Sequence, residues 1–103
     1  MSWSTLSGKD SKTIGRSMDE TREYHRRYLM AVNSPIRRRI LRALKQGHAT
    51  IEALHSETGL ATEVLEWHLG ILEYGLCVEK NVGGGKAVYK LTKEGMIVDY
   101  LDR

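Results

Sequence analysis

The chain has one cysteine, one proline and no phenylalanine among its 103 residues. A single thiol, Cys77, excludes an intramolecular disulfide and the stapled scaffolds of small secreted proteins. The one proline, Pro35, follows Asn33-Ser34 and marks a break between two helical stretches. No apolar run is long enough to span a bilayer, so no membrane partner is expected. No apolar block precedes a small-residue cleavage position within 1–17, so a cytoplasmic location is the expectation. His25, His48, His55 and Cys77 lack the close spacing of metal ligands, and neither metal nor cofactor is expected. Gly8-Lys9 lacks the upstream glycine of a phosphate-binding loop. No motif pairs a nucleophile with a base, and the length leaves no room for a catalytic cleft built from several loops. An enzyme is therefore not expected.

What is present suits one compact domain. Hydrophobic residues make up 41%, enough for a single core and too many for a wholly disordered chain. The net charge is only +3, but it is unevenly laid out. Residues 22–45 hold eight basic residues and one acid, net +7. Residues 46–78 hold five glutamates and no lysine or arginine, net −5. The basic block suits a polyanion, whereas the acidic block needs its own explanation.

Residues 1–17 have no hydrophobic period and read as a flexible tail, leaving 18–103 as the folded domain. Ser17 and Glu20 form a capping box for a first helix running to about 32, with Thr21, Tyr24, Tyr28, Ala31 and Val32 on one stripe. Ser34 and Pro35 start a second helix over 35–46, expected to bury Ile36, Ile40, Ala43 and Leu44. Arg38, Arg42 and Lys45 share its solvent face, while Arg37 lies between Leu41 and Leu44 and reads as structural. His48-Ala49 is too short to assign but could add a small strand. Thr50 caps a third, short helix that ends near Gly59, and a fourth covers 62–74 with Leu65, Leu69 and Leu72 inward. Strand patterns over 76–82 and 86–91 flank Gly83-Gly84-Gly85, a hairpin signal. Thr92 caps a last helix carrying Met96, Ile97, Tyr100 and Leu101.

Two helices joined through a glycine-containing turn and followed by a hairpin make a helix-turn-helix with a wing. The fold class is α+β, mainly helical. At this point the sequence resembles the ArsR-type winged helix-turn-helix regulators, through "NSPIRRRILRAL", "TIEALHSETGL", "EWHLGILEYGL" and "AVYKLTKEG". The matching text runs over 31–95, about two-thirds of the chain. The resemblance implies a transcription regulator that acts as a homodimer on double-stranded DNA, with His68 packing and hydrogen-bonding beside the helix pair. Two departures stand out. There is no cysteine-containing metal motif, and Ala61 replaces the usual serine cap, so Thr62 is expected to cap instead.

On this reading Thr62, Glu63, Glu66, Trp67 and Gly70 lie on the reading helix. Arg38 and Arg42 on the second helix, and Lys80 and Lys86 on the wing, are candidates for phosphate contact. Tyr24, Tyr28, Ile97, Tyr100 and Leu101 exceed what a small core needs and are assigned to the dimer interface. The exposed face of 62–74 is acidic and aromatic, a poor match for phosphate. An alternative therefore stays open, in which this face binds another protein through Trp67.

Overall fold

The computed structural model describes residues 15–97; the rest of the expected tail, and Tyr100 and Leu101, lie outside them. Helix α1 spans Met18–Val32, and the Ser17 hydroxyl accepts from the Glu20 amide as the capping box requires. It turns Tyr28, Ala31 and Val32 into the core, with Tyr24 half-buried. Helix α2 spans Pro35–Lys45, capped by Ser34 through the Arg37 amide. It buries Ile40, Leu41, Ala43 and Leu44. Ile36, expected inside, is 38% exposed. Ile36 shares the helix face of Ile40 and Ala43 but sits in the first turn of α2, and Leu41 is buried in addition.

Helix α3 spans Ile51–Thr58 and is capped by Thr50, whose hydroxyl accepts from the Ala53 amide. Gly59 ends it in the left-handed conformation, φ 74°. Three side-chain bonds brace the turn that follows. Arg39 Nη2 donates to the Thr58 carbonyl, the Leu60 amide donates to Thr58 Oγ1, and His55 Nδ1 donates to the Leu60 carbonyl. Helix α4 spans Thr62–Tyr74. The expected Thr62 cap does not form. Ala61 holds the extended cap position with no side-chain bond, and Thr62 is already helical, so its hydroxyl donates to Glu63 Oε1 instead.

Gly75 follows the last turn of α4 as its C-cap. Gly75 keeps φ at −83°, and the left-handed residue is Leu76, φ 65°. The Cys77 amide bonds to Leu72 O and the Leu76 amide to Glu73 O, the two bonds of a Schellman motif. Gly75 is small for another reason. A Cβ there would overlap the Ala31 side chain and stand 2.9 Å from the Arg27 carbonyl of α1.

That closing turn occupies Leu76 and Cys77, so β1 starts two residues later than expected, at Val78–Gly83. It pairs antiparallel with β2, Lys86–Leu91, from Val78↔Leu91 to Gly83↔Lys86. Gly84 and Gly85 turn the hairpin with φ 60° and 81°, values that side chains rarely adopt. The 48–49 segment forms no strand, yet Ala49 O accepts from the Tyr89 amide on the free edge of β2. After β2, Thr92 accepts from the Gly95 amide and donates to Leu76 O. The described residues then close with a single 3-10 turn, Glu94–Ile97.

Ile40, Leu41, Leu54, Leu65, Leu69, Leu72 and Cys77 are fully buried in one core. Burial pushes the Cys77 thiol up to about 12, which removes it as a nucleophile at neutral pH. Among the described residues no helix is long and apolar enough to cross a membrane. No group of histidine, cysteine, aspartate or glutamate among them is placed to hold a metal ion.

Candidate nucleic-acid interface

The inner side of α4 fixes the outer side. Leu65, Leu69 and Leu72 reach zero exposure, and His68 is buried beside them. His68 meets Arg37 of α2, whose Nη1 stands 3.3 Å from His68 Nδ1. A guanidinium only donates, so Nδ1 accepts and the imidazole proton sits on Nε2. Burial first, and the Arg37 charge second, hold the His68 pKa below its ordinary value. Arg37 also donates from Nε to Ala31 O at 2.7 Å and from Nη2 to Met30 O at 3.2 Å. These are carbonyls in the last turn of α1, which has no basic residue of its own there. Arg37 is thus the structural residue its position predicts, and it joins α1, α2 and α4.

With that side locked, Glu63, Glu66, Trp67, Gly70 and Tyr74 face outward. Trp67 is 64% exposed, with its ring edge-on to His68 at 4.9 Å. On one flank of this face, Glu66, Gly70 and Glu73 line a cleft of about 300 Å³ whose opposite wall includes Lys80 and Tyr89 of the wing. Lys80 Nζ lies 6.0 Å from the Tyr89 ring centroid. Lys86 and Lys90 are exposed on the same hairpin. On the other flank stands a cluster that patterning did not reveal. The Arg27 guanidinium lies 4.4 Å from the Tyr74 ring and 5.4 Å from the Tyr24 ring. Arg26 and Arg27 both bond to Glu23 and hold its carboxyl below the usual range. The signal available was the i, i+4 spacing of Glu23 and Arg27; the approach of Tyr74 depends on how α1 crosses α4.

The structure therefore brings the α4 residues together with the wing, but it does not add α2 to them. Arg42 lines a separate hollow with Arg39, Gln46, Glu57 and Thr58 at the ends of α2 and α3. Arg38 and Arg42 are half-buried and engaged in contacts, and of the expected solvent face only Lys45 is exposed. The dimer assignment needs one correction. Tyr28 is 9% exposed and belongs to the protomer's own core, where burial raises its phenol to about 12. Tyr24 is half-buried with its hydroxyl donating to Glu20 Oε1. The exposed large apolar residues of α1 are Met18, Leu29 and Met30, at 71%, 60% and 45%.

No family model and no curated protein matches this sequence. Solved structures do match. The transcriptional repressor BigR from Xylella fastidiosa superposes with a TM-score of 0.65 at 23% identity, covering 82% of this chain and 88% of that one. NolR from Sinorhizobium fredii gives 0.67 at 23% identity over 84% and 88%. The homodimeric winged helix-turn-helix DNA-binding domain of Mb0332 from Mycobacterium bovis, described as a possible ArsR-family transcriptional regulator, gives 0.71 at 24% over 84% of each chain. Four helices and a two-stranded antiparallel hairpin agree with these neighbours: the chain has the winged helix-turn-helix fold.

Proposed function

We propose that this protein is a DNA-binding transcription regulator of the ArsR type that works as a homodimer. The observation that carries the reading is the shared cleft of α4 and the wing. It sets the exposed residues of the second helix of the pair beside Lys80, and Lys86 is exposed at the tip of the same hairpin. In this architecture the second helix enters the major groove while cations on neighbouring elements hold phosphates. Here the wing supplies those cations, because α4 has none. Thr62, Glu63, Glu66, Trp67 and Gly70 are the groove-facing positions. The homodimeric state of the Mb0332 domain supports a homodimer, and the most exposed apolar residues of α1, Met18 and Leu29, are candidates for its seam beside Tyr24.

A second reading has its own observation. Trp67 at 64% exposure, with Val64 and Tyr74 also open, is an aromatic surface of the kind that anchors protein partners. One titration separates the two. Fluorescence anisotropy of a labelled duplex against rising salt gives a steep loss of affinity for a DNA binder. Lys80→Glu with Lys86→Glu weakens binding on every sequence, and each lost lysine contact lowers the slope by about one. No measurable binding at low salt ends the DNA reading and leaves the protein-binding one.

A further inference from the structure

The reading helix contains no lysine or arginine, the side chains that most often address guanine. Resting on the DNA-binding reading above, we propose that Glu66 is a specificity-determining residue that selects cytosine in the major groove. An ionised carboxylate only accepts hydrogen bonds. In the major groove guanine offers two acceptors, and thymine an acceptor and a methyl group. Adenine offers a donor beside an acceptor, and cytosine a lone amino donor. Cytosine is thus the one base edge that satisfies Glu66 without setting an acceptor against it. Every other base leaves a desolvated carboxylate opposed, so the residue acts mainly by rejecting wrong partners.

Three features of the structure single out Glu66. It is exposed in the N-terminal half of α4, the part of a reading helix that meets base edges. Gly70 follows one turn later, and a Cβ there would meet nothing within 4 Å, so a nucleic-acid strand has room against the helix. Lys80 lines the far wall of the same cleft, where it can take a phosphate of that strand. Of the other carboxylates on α4, Glu63 Oε1 already accepts from Thr62, and Glu73, which lines the same cleft, lies in the last turn, away from the N-terminal half that meets base edges.

The test is selection by the full chain from a duplex library with a randomised centre, run beside Glu66→Gln. Glutamine is isosteric at this exposed position, and matched thermal melts confirm an unchanged fold. The wild type is expected to enrich a motif with a fixed cytosine, whose replacement weakens binding roughly 5- to 150-fold. Glu66→Gln is expected to move that column to adenine, because a glutamine amide both donates to N7 and accepts from N6. Identical motifs from the two proteins overturn the assignment while the DNA-binding reading stands. So does wild-type binding with no enriched motif. Failure of the wild type to bind any duplex at low salt overturns both.

Discussion

The inward and outward sides of α4 are built on opposite terms. Inward, Leu65, Leu69 and Leu72 are sealed, His68 accepts from Arg37, and the helix end closes on Gly75 against α1. Outward, Glu66, Trp67 and Gly70 are exposed, and the wing lies across an open cleft. A side chain on the first side is specified by what it touches inside the protomer. One on the second side costs the fold little to change and is free to serve a partner. Changes on the two sides should therefore separate stability from binding.

The largest loss of stability is expected at Gly75→Ala. The added methyl overlaps Ala31 and crowds the Arg27 carbonyl, neither of which can swing aside as a long side chain would. Overpacking of this kind costs about 1–3 kcal/mol, a sizeable part of a small domain's stability. Urea denaturation measures it. A midpoint equal to the wild type would show that α1 does not bear on the end of α4 as described. Loss of duplex affinity in proportion to unfolding alone would keep the residue on the inward side of the comparison.

How much of this was legible in sequence depends on the range of the interaction. Ser17, Ser34 and Thr50 announce their helix starts because a cap bonds an amide three residues on. Leu65, Leu69 and Leu72 announce a buried face because helical period alone sets it. The exposure of Trp67 follows from the same angle. Other features depend on tertiary placement. A glycine just after a helix reads as a left-handed cap, yet Gly75 is small because α1 passes close, and Leu76 takes the left-handed place. Likewise Tyr28 is as aromatic as Tyr24, and only the packed structure assigns it to the core. The separation of Arg42 from the α4–wing cleft was equally invisible, since charge along a chain does not show which way an element turns.

A smaller effect, still on the inward side, is expected from pH. Folding holds the His68 pKa below its ordinary value, mainly by burial and secondarily through Arg37. As pH falls, the unfolded chain therefore takes up the proton first, and stability drops with falling pH. The contribution is complete above the unfolded value of about 6.5 and is lost below it, until the folded histidine also protonates. His68→Gln keeps an acceptor for Arg37 but does not titrate. Between about pH 6.5 and 5 its stability should fall less steeply than the wild type's. Parallel curves would mean that another histidine carries the dependence.

The smallest effect on stability, and the sharpest use of the comparison, belongs to Trp67→Ala. The ring touches His68 edge-on but remains 64% exposed, so little apolar area is returned to water on truncation. Surface changes of this kind stay within about 0.5 kcal/mol, and the urea midpoint should barely move. Binding should suffer nonetheless, because Trp67 is the largest side chain on the outward face and lies next to Glu66 in sequence. A variant that loses duplex affinity at unchanged stability places the ring at the interface with DNA. One that unfolds with the Gly75 variant would instead make the edge contact with His68 a part of the core, and the boundary between the two sides of α4 would shift by one residue.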